Sequence, residues 1–433
     1  MNRLFGRLCL LWASGTAALA ASSEGWPQFR GPAGDGVAAA AVPVTWSEIA
    51  GVHWKTAVHG KAWSSPVVWK NQVWVTTATE DGHELFVVCL DRKTGKTVRD
   101  QLLFKVEKPQ FCHKFNSYAS PTPVIETGRI YVTFGSPGTA CLDTATGKVL
   151  WERRDLECNH YRGAGSSPIL DGDRLVMNFD GSDHQFIIAL DKHSGKTQWR
   201  VDRSIDYKDL GPDGKPESEG DWRKAFATPH VAELGGVRTL LSQGAKAFYG
   251  YEPKTGKELW RLEERTSHSG GTRPVVGHGL VYFPTGWSAG YVLAVQPGKS
   301  GGVIDANAPA ANPTGPNIAW KTKRNVPKKP ALTLFGEHLF AIDDGGVATC
   351  WDATTGNVLW NERIGGNYSA SPIIAGGRLY FCSEEGKVIV LVAGPKFEKL
   401  AENQLDDGFM ASPAAVGNTL FLRSKSNVYC IEK

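Results

Sequence analysis

Short apolar runs recur along the whole chain, each cut off by a Gly, Asn or Pro turn. They are too short for helices and rich in Val, Ile, Leu, Tyr, Phe and Trp, so they predict strands. The runs repeat as one unit. Its first half is a small-Ser/Thr-Pro turn, a β run, a Gly or Asn turn and a second β run. WSSPVVWKNQVWVTT (63–77), YASPTPVIETGRIYVTF (118–134), GSSPILDGDRLVMNF (165–179) and SASPIIAGGRLYFCS (369–383) show it. The second half is a strand, a turn carrying Thr-Gly-Lys or a close variant, and a strand bearing Trp. Its copies include CLDTATGKVLW (141–151), ALDKHSGKTQW (189–199), GYEPKTGKELW (250–260) and CWDATTGNVLW (350–360).

Pro66, Pro121, Pro168, Pro229, Pro274, Pro330, Pro372 and Pro413 open eight such units. Four strands per unit predict an all-β chain, an eight-bladed β-propeller of four-stranded antiparallel blades. The last unit ends at NVYCIEK (427–433) without a fourth strand. GVHWKT (51–56) has the form of that missing strand, so Trp54 is expected to complete the C-terminal blade and close the ring. One propeller over 51–433 follows, preceded by an extended arm over 21–50 that packs along its side through Trp26 and Phe29. Trp54, Trp151, Trp199, Trp260, Trp320 and Trp360 are the expected blade-docking indoles, and Arg99 stands in that slot in the first unit.

The repeat explains most reactive-looking residues. Asp91, Asp143, Asp191 and Asp352 start the Thr-Gly-type turns, where a short acid bonds its own backbone. Cys89, Cys141, Cys350 and Cys430 share one slot with Ala189 and Ala294, which marks a small buried position.

Composition adds location and excludes some partners. Arg3 and Arg7 precede an apolar run ending in Ala18-Leu19-Ala20, a signal peptide over 1–20. An exported protein of the periplasm or extracellular space is expected. Loss of the two arginines lowers the formal charge from +4 to +2. That balance offers nothing to nucleic acid, and no later apolar run has the length of a membrane span. A monomer is expected.

The unit CLDTATGKVLW resembles the tryptophan-docking repeat of the pyrrolo-quinoline quinone (PQQ) propellers. That superfamily includes quinoprotein alcohol dehydrogenases and the propeller subunit of the outer-membrane protein assembly machine. WPQFRGPAGDG (26–36), ERRDLECNHYRGAGSSPIL (152–170) and GGNYSASPI (365–373) further resemble an exported PQQ-repeat-like group of planctomycetes and related bacteria. The dehydrogenase resemblance implies PQQ with Ca²⁺, a vicinal Cys-Cys, carboxylate and amide ligands and a catalytic Asp. Cys-Cys and the Cys-x-x-Cys-His haem attachment are both missing from the sequence, and about 51 residues per blade leave little room for that site. The lipoprotein motif of the assembly subunit is missing too. A non-catalytic binding or scaffold module without a cofactor is therefore the expected function. A PQQ dehydrogenase and a subunit-like assembly factor are the alternatives.

In a propeller the innermost strand of each blade follows a connection over the top face. Residues just before each Pro turn should therefore ring the central opening. They include His113, Asn116, Tyr118, His160, Arg162, Arg223, His268, Arg273, Lys328, Asn367 and Tyr368. So many cations and aromatics with few acids suit a small anionic ligand or an acidic protein loop. The other reading is that they tie neighbouring blades together and solvate the rim. Cys112 and Cys158 beside His113 and His160 offer a disulfide, a Cys₂His₂ metal site or two separate thiols. The acidic segment 202–222 reads as a solvated loop and 297–317 as a second Gly/Pro-rich excursion.

Overall fold

The computed structural model describes residues 25–39, 41–288, 290–297, 302–306 and 317–432, so the expected leader lies outside the described residues. The strands build an eight-bladed propeller of four-stranded antiparallel blades. Blade 1 runs outward through Val67–Trp69, Gln72–Ala78, Glu84–Asp91 and Thr97–Lys105. Each middle strand is covered on both faces by neighbouring blades, which is why its residues are apolar without alternation. Val67, Trp74 and Val87 of blade 1, for example, pack on Ile125, Ile130 and Val132 of blade 2.

In six blades the Trp of the outer strand sits opposite the small residue of the third strand, whereas blade 1 has Arg99 there and blade 7 has Ala401 opposite Val390. Cys141 pairs with Trp151, Ala189 with Trp199, Gly250 with Trp260, Ala294 with Trp320 and Cys350 with Trp360. The indole then reaches the next blade. Trp151 Nε1 donates to the Lys192 carbonyl at 2.9 Å, and Trp320 Nε1 to Ala353 at 2.8 Å. Its ring lies flat on the turn glycine, as a Cβ on Gly195 would approach the Trp151 ring to 2.7 Å. Blade 1 makes the same contact with a cation, since Arg99 NH2 donates to the Ala145 carbonyl at 3.2 Å. Within each turn the leading acid is consumed locally. Asp143 Oδ1 accepts from the amides of Ala145 and Thr146 and from the Thr146 hydroxyl.

Ring closure follows the expectation. Val52–Ala57 forms the outer strand of the blade built from Ala414–Val416, Thr419–Arg423 and Asn427–Ile431. Trp54 pairs with Cys430 and donates to the Arg92 carbonyl of blade 1 at 2.9 Å. One contact thus joins both ends of the ring to its first blade. Part of the 297–317 excursion adds a fifth strand, Gly302–Asp305, parallel to the outer strand Glu258–Glu263 of blade 4.

The arm departs from its expected place along the ring's side. Gly25–Trp26 pairs antiparallel with Val68–Trp69, and Val37–Ala38 pairs parallel with Ile374–Ala375. Both partners are innermost strands, so the arm lies in the central channel. An eight-blade ring leaves an axial space that its own innermost strands do not fill, and their free edges need hydrogen-bond partners.

Truncating Trp54 to Ala is expected to cost about 3–5 kcal/mol in chemical denaturation, because it empties the closing contact. Arg99→Trp is expected to change stability by less than about 1.5 kcal/mol, since the slot already accepts indoles elsewhere. A neutral Trp54→Ala would contradict this account of closure.

Candidate functional site

The arm climbs the channel from the bottom, reverses over residues 28–36 and descends beside blade 7. At the reversal Arg30 is 1% exposed. Its guanidinium donates to the carbonyls of Pro372 (3.0 Å), Leu332 (2.7 Å) and Asp35 (2.6 Å) and to Thr333 Oγ1 (2.9 Å). Blades 6 and 7 are thereby tied to the arm. Arg273 of blade 5 answers from the opposite direction, donating to the Phe29 carbonyl at 2.8 Å and to Gln28 Oε1 at 3.3 Å. Burial pulls Arg30 down to about 10 and Arg273 to about 9, and the neighbouring Arg30 adds to the latter shift. Both remain cations at neutral pH. Gly34 is left-handed, with φ +73°, and abuts the Arg273 guanidinium, so a side chain there would collide with it.

Above the plug, the connection from blade 1 to blade 2 crosses the opening. Phe111 is 61% exposed and Phe115 53%. Lys329, from the connection on the opposite side of the ring, lies 5.8 Å from the Phe115 ring. Trp63 Nε1 donates to the Phe115 carbonyl at 3.1 Å, and Asn116 Nδ2 holds the carbonyls of Arg162, Gly163 and Ala164. His113 stands between the two phenylalanines, 6.5 Å from Phe111 and 5.1 Å from Phe115. Burial and then the cations Arg162, Lys114, Lys224 and Lys61 hold its imidazole below the ordinary range. The centre of the face is therefore aromatic, with the ammonium groups of Lys61 and Lys114 over the rings of Trp63 and Phe115.

The sequence-predicted residues divide sharply. His113 and Lys328 lie on the top face. Arg162 is there too, but it forms a two-point ion pair with Asp221 at 3.1 and 3.0 Å. Arg223 pairs likewise with Asp209 at 2.6 and 3.0 Å. Tyr118 donates to the Gln110 carbonyl, and Asn367 donates to Glu385. His268 is half-buried against Ser269, with burial and nearby lysines pulling it down to about 4. Tyr368 is buried, and Arg273 is buried beneath the arm that it bonds. The expected scarcity of acids is corrected by Asp209 and Asp221, which the 202–222 insertion folds back onto these arginines. Asp344 and Glu384 do the same for Lys329. Sequence reasoning passed over Phe111 and Phe115, although two exposed aromatics in an unrepeated, polar connection were the available signal.

Of the three readings of the cysteine pair, the structure has two separate thiols. Cys112 and Cys158 are both free thiols. Cys158 turns inward, 3.9 Å from His160 Nδ1 and 3.7 Å from the His184 carbonyl, whereas Cys112 lies 3.7 Å from the Arg162 carbonyl. His160 is not a ligand either, because its Nε2 accepts the Ser136 amide at 2.9 Å. Among the described residues no group of three or more His, Cys, Asp or Glu is arranged to hold a metal ion.

These residues also do not fit PQQ with Ca²⁺. The axis is filled by the arm, and the small cavities near His160 measure about 10 and 20 Å³, room for single waters.

Residues 83–222 and 305–395 match the family described as outer membrane protein assembly factor BamB. The chain belongs to this family. A BamB of Shewanella oneidensis is 22% identical over 258 residues, and the match spans 57% of each chain. The solved BamB of Moraxella catarrhalis superposes with a TM-score of 0.56 at 14% identity, covering 88% of this chain and 99% of that one. A europium-containing methanol dehydrogenase gives 0.53 at 12% identity, covering 94% and 90%. Likeness at such identities establishes the shared fold. Within that fold, the filled axis and the aromatic face belong to this family member's own residues.

Two outcomes test the geometry. Arg30→Met is expected to cost about 3 kcal/mol, because it strands the buried carbonyls of Pro372 and Leu332; urea denaturation measures it. His160 is held down at about 4 by burial, against about 6.5 when unfolded. The unfolded chain then takes up a proton that the folded chain refuses. Stability is flat above pH 6.5 and falls as pH drops towards 4, with at most about 3 kcal/mol from His160. His160→Gln should make that decline shallower, with buried His230 and half-buried His268, whose imidazoles are also held down, supplying the rest; an unchanged slope would contradict the His160 assignment.

Proposed function

We propose that this chain is an exported, non-catalytic binding propeller that holds a protein partner of the cell-envelope assembly apparatus against its top face. The observation that carries the reading is the exposed pair Phe111 and Phe115 on a loop that bridges an opening already filled from below. Aromatic side chains surrounded by cations are the residue types that anchor protein interfaces. A filled axis leaves a surface to be recognised, with no deep pocket beneath it. The cations around His113 favour an acidic partner segment, through steering as well as contact. Membership of the BamB family supports a role in outer-membrane protein assembly, because that is what the relatives are named for. Among the described residues no helix is long and apolar enough to cross a membrane. The reading needs no cofactor.

A photo-cross-linking residue placed at 111 or 115 in the host's envelope tests it, with position 150 on the outer edge of blade 2 as control. Adducts to a component of the outer-membrane assembly apparatus are expected from 111 and 115 alone. Equal labelling from all three positions would contradict the proposal. So would dye-linked alcohol oxidation by the purified protein after incubation with PQQ and Ca²⁺.

A further inference from the structure

A second feature of the top face lies away from the bridging loop. Between blades 5 and 6 opens a cavity of about 320 Å³. Ser288, Lys323, Asn325, Val326, Lys328 and Asp343 line it. The size is at the lower end of small-molecule sites, and polar atoms make up the larger part of the lining beside Val326.

Its two lysines are held unusually. Lys328 Nζ sits 4.7 Å from the centre of the Trp287 ring, and Lys323 Nζ 4.8 Å from that of Tyr291. Aromatic faces position both ammonium groups without neutralising them. Neither makes a salt bridge to a carboxylate among the described residues, in contrast to neighbouring Lys329. The cavity's one acid, Asp343, caps its own turn through Oδ1, accepting from Gly345 at 3.0 Å and Val347 at 2.8 Å, so the lining sets two ammonium groups against one carboxylate. Trp287 is itself fixed by strand pairing with His268.

The backbone gives an independent indication. Ser288 and Asn325 both line the cavity, and both are left-handed, with φ of 76° and 53°. Such conformations in residues with side chains persist where the surroundings enforce them, and they gather at ligand sites. Here they bring a hydroxyl and an amide to the same small volume as two unneutralised ammonium groups.

We propose that this pocket binds an anionic sugar. Lys323 and Lys328 take its carboxylate or phosphate, and Ser288 and Asn325 take its hydroxyls. Ammonium groups act as point charges and suit either anion, without the planar fork by which arginine selects. Two ammonium groups in the lining disfavour an uncharged lipid.

Titration calorimetry of the exported chain with glucuronate, glucose 6-phosphate and glucose tests this. At least one anionic sugar is expected to bind about tenfold or more tightly than glucose, and Lys323→Ala/Lys328→Ala to remove about tenfold or more. Binding of glucuronate alone assigns the carboxylate, and of glucose 6-phosphate alone the phosphate; either supports the site. Lys93→Ala/Lys148→Ala, on the exposed outer turns of blades 1 and 2, should leave the affinity unchanged. The proposal is overturned if glucose binds equally well, if neither anion binds, or if acetate or inorganic phosphate matches its sugar. An equal loss in the two double variants would also overturn it. An unchanged thermal midpoint shows that the variants are folded.

Discussion

The contact between an outer-strand indole and the next blade's turn sets the geometry of the whole ring. Each indole lies on a glycine that has no side chain to obstruct it and donates to a carbonyl that would otherwise be left buried and unpaired. The small residue opposite the indole, Cys, Ala or Gly, leaves space for the ring. Repeating this contact fixes the relation of one blade to the next. Trp54 makes it across the junction of the two chain ends, so the order of the ring does not depend on a covalent link there.

A ring of eight blades held in this way leaves an axial space, and how that space is used decides what the molecule can do. Here the chain spends its own residues on it. Trp26 and Arg30 are buried at the axis, and Arg30 reaches carbonyls of blades 6 and 7. The buried guanidinium loses hydration but meets several carbonyl acceptors, which is the condition for tolerating a charge in the interior. Closing the axis moves recognition to the surface, where Phe111, Phe115 and the surrounding cations lie. The fold is shared with proteins named as dehydrogenases, yet the chemistry belongs to the site and not to the fold.

Much of this was legible in the sequence because the propeller is a local code. The Pro anchors, the turn glycines and the indoles recur at similar spacing, so the blade count and the closing role of Trp54 followed from pattern alone. The arm was not legible, because it has no period and its partners are far away in sequence: Arg30 bonds Leu332 across 302 positions. The top face failed for a related reason. Arg162 and Arg223 read as free rim cations, but their partners Asp221 and Asp209 belong to an insertion outside the repeat. Arg273 immediately precedes a Pro anchor as the rim pattern requires, yet the arm covers it. The pocket lysines lie close in sequence, while the rings that hold them, Trp287 and Tyr291, come from another loop.

Hydrogen–deuterium exchange of the arm's amides tests most directly whether the chain seals its own axis. Gly36 donates its amide to the Arg30 carbonyl, while Ile125 and Ile374 donate to the arm's Pro27 and Gly36 carbonyls. If the arm is part of the folded core, these amides exchange only as slowly as those of the central strands, through global unfolding. Exchange of Gly36, Ile125 and Ile374 within seconds, with the blade interiors still protected, would contradict the account and reopen the channel to a ligand.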